Sequence, residues 1–223
     1  MKNKIVVYTC ITNGYDKLNE IEKKENNIDY ICFTDDKSLT SNTWNIVLIN
    51  EKLNDLTHVK KQRFIKINPH LFLSEYDISI WIDGNMSIIG DINELLKTHD
   101  ESFMTTLQHP YTNCIYVEAK KCSNTKDSAF KIFKQVFMRY FLEKYPKDNG
   151  LIESRMIIRN HNDENCKKLM SDWWNEVRDY SHRDQLSFNY VLWKNKLNIK
   201  LIDTIYINNF FKLNNGHEKK TYF

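Results

Sequence analysis

Glycine and proline are scarce in this chain, 5 and 3 of its 223 residues. With glycines only at positions 14, 84, 90, 150 and 216, neither GxGxxG nor the P-loop pattern GxxxxGK can be written anywhere in it. The usual Rossmann dinucleotide site and the P-loop are therefore excluded, as is any collagen-like or linker-rich architecture. The five cysteines, Cys10, Cys32, Cys114, Cys122 and Cys166, are odd in number and never spaced CxxC. That argues against a zinc cluster or a disulfide framework and fits a reducing compartment. HExxH and GxSxG are absent too. No apolar run approaches the roughly 18 residues that a membrane helix requires. Ile5-Val6-Val7-Tyr8, behind a basic start, is too short for a signal-peptide core and reads as a buried strand. Charge of one sign is lacking as well: 32 basic residues face 29 acidic ones. The lysine pairs at 23–24, 60–61, 120–121, 167–168 and 219–220 are scattered, so no nucleic-acid groove is implied.

Core-forming material is plentiful, with 41% hydrophobic and 13% aromatic residues, enough for one large domain spanning 1–223. Apolar runs of strand length at 5–9, 30–34, 44–49, 78–82, 103–107, 156–159 and 199–202 alternate with helix-period segments. This is the α/β pattern of a mostly parallel central sheet flanked by helices. Helices are expected at 57–68, stopped by Pro69, and at 91–96. A longer one is expected at 127–143, burying Phe130, Phe133, Val136, Phe137 and Tyr140 as one stripe. In 163–177, Trp173 and Trp174 fall in register with Cys166, Leu169, Met170 and Val177 and read as core before sugar-stacking platform. Ser181 reads as the cap of a last helix, with Asp184 in its first turn. Beyond 203 the chain turns polar and irregular, a tail that either frays or folds over a site.

The sharpest chemical signal is Ile80-Trp81-Ile82-Asp83-Gly84-Asn85. An apolar strand runs into two oxygen-bearing side chains one residue apart, able to face one divalent cation that keeps its other positions for water and phosphate. The same triplet also suits a simple turn. The first strand empties into Thr12-Asn13-Gly14-Tyr15-Asp16, with room for a ligand and a ring to stack on a base; the second ends at Asp35, where a ribose or uracil edge finds an acceptor. Both stretches also read as turns. Lys60, Arg63 and Lys66 share one helix face ahead of the Asp83 strand, as cations for a diphosphate or as solvated residues.

The order of Gly14-Tyr15-Asp16, Phe33-Thr34-Asp35, Arg63 with Lys66, Trp81-Ile82-Asp83-Gly84-Asn85, His109-Pro110, Gly150-Leu151-Ile152-Glu153 and Arg183-Asp184-Gln185 resembles the family called domain of unknown function 616. Its members are GT-A-type glycosyltransferases, among them relatives of plant pectin galacturonosyltransferases. The likeness spans roughly residues 5 to 217. It implies a nucleotide-binding part at about 1–107 and an acceptor-side part at about 108–223. The implied reaction is metal-dependent transfer from a nucleoside-diphosphate sugar, a UDP-sugar first of all, to a glycan, glycolipid or glycoprotein, with retention of configuration.

Asp83 and Asn85 match the DxD metal motif, with an amide where the family pattern has a carboxylate. His217 matches in position the C-terminal histidine that completes the shell around Mn²⁺ or Mg²⁺ in glycogenin-like relatives. Thr12, Asn13, Tyr15 and Asp35 then bind the nucleoside, Arg63 and Lys66 neutralise the leaving group, and His109 lines the sugar pocket. Asp184, Gln185 and Glu153 work at the anomeric carbon and the acceptor. No function is assigned to His58, His70, His99, His161 or His182. A nucleotide-sugar hydrolase and a non-catalytic glycan-binding module are the competing readings. The expected location is cytoplasmic, soluble or peripheral at a membrane surface.

Overall fold

A computed structural model describes residues 3–123 and 127–214. The strands are β1 Ile5–Ile11, β2 Ile28–Thr34, β3 Asn45–Leu48, β4 Ile78–Ile82, β5 Met86–Ile88, β6 Met104–Gln108, β7 Ile152–Arg159, β8 Lys200–Ile202 and β9 Phe211–Leu213. The helices are α1 His58–Ile67, α2 Ile92–Leu96, α3 Ile115–Cys122, α4 Ala129–Ile132, α5 Glu164–Asp179 and α6 Gln185–Asn195. Seven strands form one sheet in the order β3-β2-β1-β4-β7-β6-β8, and β5 pairs with β9 in a separate ribbon. All pairings in the large sheet are parallel except those of β7, which runs against both β4 and β6.

Every residue of β1 is buried because the strand is central and both faces of the sheet are covered. Its side chains alternate: Val6, Tyr8 and Cys10 join the core that holds Trp81, Leu169 and Trp173. Ile5, Val7 and Ile11 join a second core with Ile80, Ile82, Ile92 and Leu95. Trp173 is fully buried and Trp174 is 9% exposed, so both tryptophans of α5 are core. Asp163 caps α5 by accepting from the backbone N–H of Asn165 and Cys166.

Three elements differ from what their sequence suggested in ways that bear on function. First, β7 begins four residues earlier than expected and is bulged. Its register against β6 shifts between Thr106, opposite Ile157, and Leu107, opposite Glu153. Second, the helix at 127–143 is not one amphipathic α-helix. After α4 it widens into a π-helical segment, Phe133–Tyr140, that buries Gln135, Val136 and Tyr140 with Ile132 before them. Phe130 and Phe133, placed in the core by their spacing, face solvent.

Third, Ser181 is not the cap of α6. Its hydroxyl donates to Asp127 Oδ2 at 2.7 Å, and Asp184 itself occupies the cap position, accepting from the Gln185 N–H. Of the two outcomes expected beyond 203, the described part folds back: Ile89 and Gly90 donate to the Phe210 carbonyl, and Asn214 donates to the Asn85 carbonyl at 2.9 Å.

Candidate active site

At the carboxyl ends of β1 and β4, where strands of an open α/β sheet present their loops, lies a cavity of about 610 Å³. The β1 loop lines it with Thr12, Tyr15 and Asp16, and α1 with His58, Gln62 and Arg63. Asp83, Gly84 and Asn85 come from the end of β4, His109 from beyond β6, and Glu153 and Arg155 from β7. His182, Arg183 and Gln185 enter with the start of α6, and Leu213 with β9.

Local backbone chemistry shapes each wall. Asn13 and Gly14 both sit at positive φ (56° and 54°), and the turn closes with Tyr15 N–H donating to the Thr12 carbonyl at 3.1 Å. Asparagine and glycine are the residues that tolerate this conformation. The Asn13 N–H donates to Asp35 Oδ1 at 2.8 Å, and Thr12 Oγ1 donates to the His58 carbonyl at 2.9 Å. A Cβ on Gly84 would stand 3.0 Å from Ile11 Cγ1 and 3.1 Å from Asp16 Oδ2, so glycine is what lets the β1 loop approach the end of β4.

Asp83 is held by one oxygen. Its Oδ1 accepts from Trp81 Nε1 at 2.9 Å and lies 3.4 Å from Lys66 Nζ, while among the described residues no hydrogen bond reaches Oδ2. The carboxylate is 33% exposed at the cavity wall. Asn85 also lines the cavity, and its amide side chain makes no hydrogen bond to the described residues.

Lys66 and Asp184 lie beneath this floor. Lys66 Nζ is 2.7 Å from Asp184 Oδ2 and 3.0 Å from Ser154 Oγ, and both charged side chains are nearly inaccessible. Arg63 Nε stands 3.7 Å from the same Asp184 oxygen. Burial alone would raise the Asp184 carboxyl; Arg63, Lys66 and Arg183 overcome it and hold it far below the ordinary carboxylate range. Trp173 Nε1 anchors the backbone by donating to the Asp184 carbonyl at 2.9 Å.

Strand alternation sorts the residues of β7 by face. Ser154 points down to Lys66 and Asp184, while Glu153 and Arg155 point into the cavity and pair with each other at 2.8 Å. Glu153 Oε2 also accepts from Thr204 Oγ1 at 3.3 Å. Gln185 donates to the Ile152 carbonyl at 3.2 Å and accepts from Arg183 Nη2 at 2.9 Å. His109 accepts the Thr112 N–H at Nδ1, and burial lowers its pKa, which keeps the ring neutral. Three buried nitrogens at the cavity, Arg155 Nε, Arg183 Nε and His58 Nε2, have no hydrogen-bond partner among the described residues. Buried donors left this way call for a ligand or water.

The structure thus gathers Thr12, Tyr15, Arg63, Asp83, Asn85, His109, Glu153 and Gln185 around one cavity, as the sequence reading grouped them. It places four others differently. Lys66 and Asp184 form the ion pair under the floor and do not line the cavity, because each buried charge neutralises the other. Asp35 is exposed and spends its carboxylate on the Asn13 N–H, and Asn13 itself faces solvent. Neither lines the cavity. His217 lies outside the described residues, among which no group of three or more His, Cys, Asp or Glu side chains could hold a metal. The sequence reading missed Arg155, Arg183, His58 and His182 as cavity residues. Arg155 was signalled by strand alternation from Glu153, and Arg183 by adjacency to Asp184. Cys10 reaches the cavity, but burial pushes its thiol well above the ordinary range, which leaves it a poor nucleophile.

Residues 1–216 match the model of the TOD1/MUCI70, glycosyltransferase-like domain. The chain belongs to this family. No curated protein matches it significantly. Among solved structures, one titled as the apo structure of WbbM, a bifunctional glycosyltransferase, is similar at 9% identity and a TM-score of 0.47. The likeness covers 91% of this chain and 39% of that one, so this chain spans about two fifths of its length. Membership in the family makes the cavity that of a glycosyltransferase-like domain. No helix among the described residues is long and apolar enough to cross a membrane.

Proposed function

We propose that the cavity binds a nucleoside-diphosphate sugar, a UDP-sugar first of all, and transfers its sugar to a hydroxyl of a glycan or glycoconjugate. The observation behind this reading is the meeting of Asp83 and Asn85 with Arg63, Arg155 and Arg183 around one volume. Two oxygen donors and several cations are what a metal-bridged diphosphate needs on its two sides. Asp83 Oδ2 and the Asn85 amide oxygen suit Mg²⁺ or Mn²⁺ as a shared site, the remaining ligands coming from phosphate, water and, by the family resemblance, His217. Such an ion would stabilise negative charge on the departing diphosphate.

The protein's own groups then divide the work. The turn at Thr12–Tyr15, pinned by Asp35, frames the nucleoside, with the Tyr15 ring available to a base. Arg63 offers charge to the diphosphate, while Lys66 and Asp184 act from below as positioning groups. In the transfer, the anomeric C–O bond breaks with its electron pair passing to the diphosphate. For retention, the acceptor oxygen bonds to that carbon on the face the diphosphate leaves and its proton passes to the departing phosphate oxygen, while Glu153, at the cavity wall, stabilises positive charge developing at the anomeric carbon. The resemblance to domain of unknown function 616 supports a GT-A fold and retention of configuration, which the anomeric signal of the first-formed product reports by proton NMR.

A thermal-shift panel of UDP, GDP, dTDP and CMP with and without Mn²⁺ tests the reading. One nucleotide with Mn²⁺ is expected to raise Tm by about 5 °C near saturation, and Asp83→Ala to abolish most of that shift. A shift undiminished in Asp83→Ala removes the metal assignment. Rapid release of free sugar from donor alone, unsuppressed by acceptor, moves the protein to the hydrolases.

A further inference from the structure

The segment that departs most from its sequence reading is α4 with the π-helical turn after it. Ile132, Gln135, Val136 and Tyr140 supply its packing face. A second apolar stripe runs along the outer side: Phe130, Phe133, Met138, Phe141 and Leu142 keep between 49% and 73% of their surface exposed. Phe133 stacks on Phe137, and Phe137 in turn meets Tyr116 of α3, so the stripe continues toward that helix. A helix end-piece packed by one face gains nothing from phenylalanines on the other unless something apolar covers them.

The charge around the stripe specifies what that is. Lys131 and Lys134 rise between the phenylalanines on the same exposed side, and Lys120, Lys121, Lys144 and Lys147 are exposed before and after it. Of the carboxylates that the surrounding sequence offers, Asp148 is exposed, beyond the end of the stripe, and the others are withdrawn. Glu118 and Asp127 are buried, and Glu143 is engaged by Lys194 at 2.9 Å and by Arg139 at 3.1 Å. Phenylalanine and leucine flanked by exposed lysines on one helix surface fit the boundary between acyl chains and anionic headgroups. A second copy of this chain would set the same lysines against one another.

We propose that the exposed face of 130–142 seats the protein on an anionic lipid surface. The face adjoins the cavity: Glu118 and Lys121 of α3 line it, as does Tyr111, itself 85% exposed, just ahead of that helix. Seated there, the mouth of the cavity lies beside the headgroup layer, within reach of a lipid-linked or membrane-presented acceptor. That last clause rests on the glycosyltransferase reading; the binding does not.

Co-sedimentation of the purified full chain with phosphatidylcholine vesicles, with and without phosphatidylglycerol, reads the proposal directly. Binding is expected only with the anionic lipid and is expected to weaken as salt is raised. On anionic vesicles the double variant F130S/F141S is expected to lower partitioning about tenfold or more, and K131Q/K134Q to lower it and to flatten its salt dependence. Both pairs are exposed, so Tm and nucleotide binding should match the parent, which separates this test from that of the cavity. Absence of vesicle binding, or binding unchanged in F130S/F141S, overturns the proposal. So does a concentration-dependent dimer that F130S/F141S dissolves, which would assign the face to self-association. Loss of nucleotide binding with vesicle binding intact would leave the lipid face standing and remove the function proposed for the cavity.

Discussion

Lys66 is the residue on which the site's electrostatics turn. A buried ammonium between two carboxylates, Asp184 at 2.7 Å and Asp83 at 3.4 Å, holds Asp83 Oδ1 inward and leaves Oδ2 toward the cavity. Removing one member of a buried ion pair leaves an uncompensated charge and costs about 3–5 kcal/mol. Lys66→Met should therefore destabilise the protein by that amount in urea titrations. Adding Asp184→Asn should recover part of the loss, because the stranded carboxylate is gone. A single variant as stable as the parent would mean that the ion pair is not formed in solution. The sequence placed Lys66 on the right helix face but not at the right depth. One turn of α1 separates Arg63, at the cavity wall, from Lys66, sealed below it, and helical spacing alone cannot measure that descent.

At the level of elements, β1, β2 and β4 were legible because each is rich in apolar residues over its whole length, whereas the first half of β7, Ile-Glu-Ser-Arg, is not and was missed. β5 and β9, three residues each, are too short to show a period, and they pair only because the chain beyond 203 turns back onto Gly90. A Cβ at Gly90 would lie 2.3 Å from the Asn209 carbonyl oxygen and 2.8 Å from Phe210 Cα. Gly90→Ala should thus push 206–210 off the body of the protein. The expected cost is about 2 kcal/mol or more, with faster proteolysis C-terminal to Asp203. Unchanged cleavage kinetics would contradict the pairing. The π-helical segment was illegible for the opposite reason: it carries two apolar stripes, and spacing cannot tell which one packs. The β7 bulge left no periodic trace either, although plain strand alternation already puts Glu153 and Arg155 on the cavity side and Ser154 on the side of Lys66.

Across the whole molecule, buried ionisable groups tie stability to pH. Burial lowers the His161 pKa from 6.5 to about 4, against the opposing effect of its hydrogen bond to the Leu73 carbonyl; Arg159 and His70 add to the lowering and Glu75 opposes it. The unfolded chain therefore binds this proton more readily than the folded one between those two values. Stability contributed by neutral His161 is full above pH 6.5 and declines by about 1.4 kcal/mol per unit as pH falls toward 4. His70 and His99, also lowered by burial, steepen the same slope. Asp184 acts at lower pH. Its depressed carboxyl contributes stability above the unfolded value near 4 that is lost on further acidification. Urea midpoints should hold level from pH 7.5 to about 6.5 and then fall toward pH 4, and a profile flat throughout would contradict the burial of these histidines.

A crystal structure of the protein with UDP and Mn²⁺ would show directly where the two phosphates sit. The diphosphate is expected between the Asp83–Asn85 rim and Arg63, with the ion held at Asp83 and the uracil beside Tyr15. A diphosphate lodged elsewhere, with Asp83 contacting only Trp81 and Lys66, would contradict that placement.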